Sequence, residues 1–278
     1  MAKIMPNKNR QKCFKLFHIK SLQGVDSLSV FHAAAHLGIE CVIITSPAST
    51  FLSTGYFDNA KEILNRKMLN SKKLPVFRRK IGGGLVLLDK DQVFYQVILK
   101  RNNPLLPRVV KNAYRKFSHA PIESFRQLGV AVEYRPINDL LVSSSQAKIS
   151  GQGAGVIEDS FVFAGNILLD FNYKLMTDVV KIPEDRRELL LDSLQKGVTS
   201  LKRELGVKPE KDEVESVLIK NFLKSYPELH EATIPAELFE LSRSLSETMI
   251  SDDYVYEETG REHNKIKIRE GVFFDLKK

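Results

Sequence analysis

The chain contains no tryptophan and only two cysteines, Cys13 and Cys41. Two thiols that far apart, with no further cysteine at knuckle spacing, exclude a zinc-finger or disulfide framework and read as small buried hydrophobes. No apolar run approaches the roughly 18 residues that a membrane span needs. The opening Met1-Ala2-Lys3-Ile4-Met5-Pro6-Asn7-Lys8 also lacks the apolar stretch of a secretory signal. A cytoplasmic protein without a membrane anchor is the expectation. Acidic residues are missing from whole stretches: Met1 to Lys20 has six Lys/Arg and no acid, Lys61 to Lys80 has eight against Glu62 alone, and Lys100 to Lys116 has none. The net charge of +8 is therefore concentrated in the first half, and it calls for an anionic partner such as a nucleotide or an acidic protein domain. The absence of helix-turn-helix, zinc-finger and RRM signatures argues against nucleic acid.

What is present is 278 residues at 43% hydrophobic, enough for a sizeable core. The pattern predicts strands at 13–19, 41–44, 74–77, 85–88, 93–99, 130–134, 139–142 and 162–169. Helices are predicted at 25–37, 60–68 and 105–129, the last broken by Pro121. After Pro183 come three charged amphipathic helical patterns, 184–205, 211–224 and 235–249, then a last strand at 265–274. This is an α+β chain, a mixed sheet flanked by helices, with the expected division 1–185 for a catalytic domain and 186–278 for a small helical accessory region.

Two stretches carry chemistry. Arg78-Arg79-Lys80-Ile81-Gly82-Gly83-Gly84 sets three cations beside three contiguous glycines. Glycines let backbone N–H groups approach a ligand, and the cations favour an anionic one. It is neither a Walker loop nor a G-x-G-x-x-G fingerprint, and a glycine-rich hairpin turn with solvent-facing cations explains it equally well. The second is Asn138-Asp139-Leu140-Leu141-Val142, followed by Lys148-Ile149-Ser150-Gly151-Gln152-Gly153-Ala154-Gly155. It reads as a strand, then a lysine in a mobile Ser/Gly-rich turn able to close over a ligand.

Together with Ala164-Gly165-Asn166-Ile167-Leu168-Leu169, these stretches resemble the lipoate-protein ligase family, part of a wider group with biotin ligases and octanoyl transferases. Weaker likenesses are Gly55-Tyr56-Phe57-Asp58-Asn59, Asp178 to Pro183, and Ile268-Arg269-Glu270-Gly271-Val272. The resemblance implies the biotin/lipoate ligase catalytic fold and an ATP-dependent reaction. Lipoate becomes lipoyl-AMP and is passed to a lysine of a lipoyl acceptor domain, of the glycine-cleavage H or 2-oxoacid dehydrogenase E2 kind. It implies Lys148 as the catalytic cation, and Arg78, Arg79, Gly82, Gly83, Gly84, Asn138, Asp139, Ser150, Gly151, Gly165 and Asn166 as substrate and nucleotide contacts. Asp139 would also hold Mg²⁺, and Phe57, Leu85, Val86, Phe163 and Ile167 would line an acyl tunnel. Some members divide the work between two chains, so a separate small subunit stays open as a partner.

The resemblance has two departures: Ile81 where many members carry serine, and Phe163-Ala164 where many carry a histidine-containing pair. An octanoyl transferase, which moves the acyl group through a cysteine thioester without ATP, needs a nucleophilic cysteine near the lysine; none follows Cys41. Biotin ligation and a non-catalytic lipoate-binding subunit are the remaining alternatives.

Overall fold

The computed structural model describes residues 14–262 and 264–277. Cys13 and most of the cationic opening stretch lie outside them. In chain order, the first elements are β1 (Lys15–Leu22), α1 (Asp26–His36), β2 (Cys41–Pro47), β3 (Phe51–Thr54), α2 (Ala60–Ile63), α3 (Arg66–Lys72), β4 (Val76–Arg78), β5 (Val86–Leu88) and β6 (Gln92–Lys100). Next are α4 (Val110–Phe117), α5 (His119–Gln127), β7 (Val132–Arg135), β8 (Asp139–Val142), β9 (Lys148–Ile157), β10 (Ser160–Leu168) and α6 (Tyr173–Val179). The remainder is α7 (Arg187–Gly197), α8 (Leu201–Leu205), α9 (Lys211–Ser225), β11 (His230–Glu231), α10 (Ala236–Met249), α11 (Asp252–Val255), β12 (Lys265–Arg269) and β13 (Val272–Asp275).

Eight strands form one mixed sheet in the order β11-β1-β2-β6-β10-β9-β8-β7, with β1 parallel to both β11 and β2 and every other pairing antiparallel. A second sheet, β4-β3-β5, and the hairpin β12-β13 complete the strands. The α+β architecture is the one expected. Alternation along β6 explains the layering: Val93, Tyr95, Val97 and Leu99 face a cluster with α4, α5 and α9, while Phe94 and Ile98 face one with α1 and α10. A third cluster joins the small sheet to α6, α7 and the terminal hairpin.

Local chemistry accounts for several boundaries. The run expected as one helix at 60–68 is two, because Asn65 leaves helical geometry and its side chain accepts from Met68 N, capping α3. The break in 105–129 falls at Ser118, whose Oγ bonds back to Tyr114 O at 2.6 Å. Pro121 sits in the first turn of α5, where its missing N–H is unneeded. The pattern 184–205 splits at 198–200, where the backbone leaves the helix to bridge Lys148. The last strand is a hairpin turning at Glu270-Gly271.

The largest correction concerns Lys148 to Gly155. It is no mobile turn but the first eight residues of β9, a ten-residue strand interior to the sheet. Pairing on both edges, with β8 and β10, overrides the weak strand preference of its glycines. Residues 186–278 contribute Leu201, Val214, Leu218 and Phe222 to the same cluster as Leu16 and Phe163, and β11 to the main sheet's edge. Among the described residues, no helix is long and apolar enough to cross a membrane.

Candidate active site

The main cleft opens on the α1 side of the sheet. Its apolar lining comes in two groups, Leu28, Phe31, Ile81, Val86, Leu88 and Phe94 from one core cluster and Leu168, Met176, Leu194, Val198 and Ile268 from another; its polar lining is Ser53, Arg79, Gln96, Asn138, Lys148, Gln152, Asn166 and Lys267. Gly83, Gly84, Leu85, Gly151 and Gly165 also line it.

Lys148 starts β9 and is fixed through its backbone on two sides: it pairs with Leu141 of β8, and its carbonyl accepts from Thr199 N at 2.8 Å. The split between α7 and α8 therefore serves to steady this lysine. Its Nζ lies 3.0 Å from Asp139 Oδ1, with 18% of the Lys148 side chain and none of the Asp139 side chain exposed. The other Asp139 oxygen accepts from Glu270 N at 2.6 Å and lies 3.4 Å from Lys267 Nζ. A carboxylate between two ammoniums and an N–H is a counter-ion. This donor set does not fit a divalent cation, which both lysines would repel, and the described residues contain no cluster of three metal-ligating side chains.

Adjacent residues on a strand point to opposite sides, and the two arginines divide accordingly. Arg78 is turned away from the cleft and is committed to Tyr254 O at 2.8 Å, Glu257 Oε2 at 2.8 Å and Tyr56 O at 3.0 Å. Arg79 enters it, donating to Ser53 O and Oγ and to the carbonyls of Gly82 and Gly84. Burial pushes its guanidinium down to about 10, with the Asp58 carboxylate partly offsetting that, so it stays charged at neutral pH. Arg79 thus staples the glycine loop from within and presents only its remaining face to a ligand.

The loop needs its glycines for specific reasons. Gly83 has φ +103°, open to few other residues, and a Cβ on Gly153 would lie 2.6 Å from Gly82 O. Ile81, the unexpected residue of the loop, is 2% exposed and packs against Gly155, anchoring the loop to β9. From the other side, His32 Nε2 accepts from Lys80 N at 3.0 Å while its Nδ1 bonds Leu28 O at 2.8 Å.

Asn138 Nδ2 donates to Gln152 O at 2.6 Å, and Asn166 Oδ1 accepts from Gly151 N at 2.9 Å. Ser150 lies fully buried beneath the cleft, in a network where Gln152 Nε2 donates to Tyr95 Oη and Ser118 Oγ, and Tyr95 Oη bonds Ser150 Oγ. Gly165 seats the tyrosine: a Cβ there would lie 2.3 Å from Tyr95 Oη.

The structure therefore brings Arg79, Gly83, Gly84, Asn138, Lys148, Gly151, Gly165 and Asn166 into one cleft. It keeps Arg78, Gly82, Asp139 and Ser150 out of the lining. Of the expected tunnel residues, Leu85 and Val86 line it. Phe163 and Ile167 point into the opposite core, on the other parity of β10 from Ala164 and Asn166. Phe57 is 48% exposed beneath the Arg261 guanidinium. Lys267 and Ser53 belong to no motif, and Gln152 lies within the Lys148–Gly155 stretch with no role assigned to it; the sequence signals near Lys267 are the expected strand at 265–274 and the weak likeness at 268–272.

The model of the lipoyl protein ligase A/B catalytic domain family matches residues 29–223. Octanoyltransferase LipM of Kyrpidia tusciae is 26% identical over 227 residues, 74% of this chain and 82% of that protein. The match to the LipM of Bacillus cereus spans only 30% of its length. Among solved structures, the bi-partite lipoate protein ligase of Thermoplasma acidophilum superposes with a TM-score of 0.76 at 19% identity, covering 89% of this chain and 98% of that one. A lipoate-protein ligase A bound with ATP gives 0.70 at 18% identity, covering 87% and 98%. At these identities the superpositions speak for the fold.

Proposed function

This chain belongs to the lipoyl protein ligase A/B catalytic-domain family, and from that premise we propose that it is an ATP-dependent lipoate-protein ligase. It would form lipoyl-adenylate and pass the acyl group to a lysine of a lipoyl acceptor domain. The observation that carries the ligase over the transferase is that, among the described residues, no thiol lines the cleft. Cys41 is fully buried within β2, and burial pushes its thiol up, away from the reactive thiolate. No cysteine is among the cleft residues. Cys13, outside the described residues, is the only other one in the chain.

A carboxylate resists attack by an amine because its oxygen leaves poorly. Transfer to the α-phosphate of ATP releases pyrophosphate and makes AMP the leaving group, which the acceptor's ε-amine then displaces to form an amide. Lys148 lines the cleft beside both polar and apolar residues, and would steady the charge on the phosphate and on the carbonyl oxygen in both steps. Asp139, dry and fixed, holds that ammonium in place. Arg79 and the N–H groups of Gly83 and Gly84 would hold the remaining anionic oxygens. Leu28, Phe31, Val86 and Phe94 suit the acyl chain. Exposed Arg108, Lys111 and Arg115 favour an acidic acceptor domain.

Lipoate-dependent exchange of pyrophosphate into ATP tests the reading. Wild type and the double variant Cys13→Ser/Cys41→Ser are expected to exchange at equal rates. Acyl transfer from an acyl-carrier thioester that needs no ATP and disappears in the double variant would establish the transferase instead.

A further inference from the structure

Lys267, on β12, lines the cleft from the terminal hairpin, with 20% of its side chain exposed. Its Nζ lies 2.5 Å from Asn138 Oδ1, 2.6 Å from Glu270 Oε2 and 3.4 Å from Asp139 Oδ2. Lys148 approaches the same Asp139 from the other side. Two ammoniums thus flank one carboxylate at the mouth of a cleft, and the two carboxylates that balance them are unlike. Asp139 is fully buried and held by a backbone N–H, so it has nowhere to go. Glu270 stands at the rim, 21% exposed, in the hairpin turn.

We infer that Lys267 is a second anion-binding residue of the cleft, taking an oxygen of the bound substrate's phosphate or carboxylate in exchange for the Glu270 carboxylate. The inference rests on the ligase reading for the identity of the anion. The Lys267–Glu270 pair is about four-fifths buried and Glu270 also takes a hydrogen bond from the Ile137 backbone, so the incoming anion has to offset the loss of both. An oxyanion between Lys148 and Lys267 meets two ammoniums where Glu270 meets one. The Lys267–Asn138 hydrogen bond keeps the ammonium in place throughout.

Two variants with opposite expected signs test this. Lys267→Met keeps the apolar stem and removes the charge; Glu270→Gln keeps the shape and removes the competing carboxylate. AMP and lipoate are titrated separately into wild type, K267M, K267R and E270Q by calorimetry. Loss of one charged hydrogen bond is expected to weaken one of the two ligands about tenfold in K267M, with recovery in K267R. E270Q is expected to tighten that same ligand severalfold. The ligand that responds identifies the anion as phosphate or carboxylate. Wild-type affinity of K267M for both ligands overturns the proposal and leaves the ligase reading standing, as does weaker binding in E270Q. If K267M does not fold, E270Q decides alone, because a purely structural ion pair would make its removal neutral or harmful to binding. A wild type that binds neither AMP nor lipoate overturns the ligase reading and this proposal with it.

Discussion

Lys148 owes its position to contacts made by its backbone, so its side chain can be removed without dismantling the site. In Lys148→Ala, Asp139 would still face Lys267 and the Glu270 N–H. The variant is therefore expected to keep a cooperative thermal transition while pyrophosphate exchange falls by about a hundredfold or more, the usual cost of removing a charge-stabilising donor. Wild-type exchange would remove Lys148 from that role. His32 makes a second residue-scale prediction. Burial, aided by nearby Lys80, pushes its imidazole down to about 3, so the folded protein holds it neutral. Below its ordinary pKa near 6.5 the unfolded chain takes up a proton that the folded one refuses. The stability this histidine contributes is therefore full above pH 6.5 and is lost as pH falls toward 3. Between pH 6.5 and 5, before carboxylates titrate, the loss is expected to be about 2 kcal/mol. Urea midpoints across that window check it: an unchanged midpoint, or an equal slope in His32→Gln, would refute the assignment.

The elements show why some of the site could be read in the sequence and some not. The glycine loop is legible because contiguous glycines beside contiguous cations are a local signal, and Asn138-Asp139 because a polar pair opens an apolar strand. That only one arginine of the pair enters the cleft also follows from strand alternation, once β4 is known to run through Arg78. β9 is not legible: Ser/Gly-rich sequence has a turn's local preference, and the two strands that fix it come from residues on either side of it. Lys267 is an ordinary lysine in a short alternating strand, brought to the cleft by contacts across about 130 residues of chain. The two tunnel residues chosen by hydrophobicity on β10, Phe163 and Ile167, share the face turned away from the cleft, where parity decides. The contact between loop and strand supports a further test. In Gly153→Ala the new methyl would meet the Gly82 carbonyl, which is backbone and cannot swing aside. A stability loss of about 1–3 kcal/mol is expected from the overpacking, together with weaker binding of AMP or lipoate in calorimetry. Unchanged affinity for both ligands would detach the loop from ligand binding.

At the scale of the whole molecule, the segments before and after residue 185 share their cores. Leu201, Val214, Leu218 and Phe222 are all fully buried. At about 2 kcal/mol for each buried side chain they represent about 8 kcal/mol, comparable with the entire stability of an ordinary domain. A chain cut after residue 185 is accordingly expected to show no cooperative thermal transition by circular dichroism. A sharp transition in that fragment would show that the first segment folds alone.

β1, near residue 15, pairs in parallel with β11, near residue 230, and the hairpin that closes the cleft comes later still, at 265–275. Contacts of such long sequence separation slow folding, because the intervening chain must be gathered before they reward it. On the ribosome, the edge of the sheet stays open until residue 231 has emerged, and the cleft lacks its last wall until the hairpin at 265–275 has. Substrate can therefore meet a finished site only once residue 275 has emerged, and a translation product stalled or clipped before it would offer none.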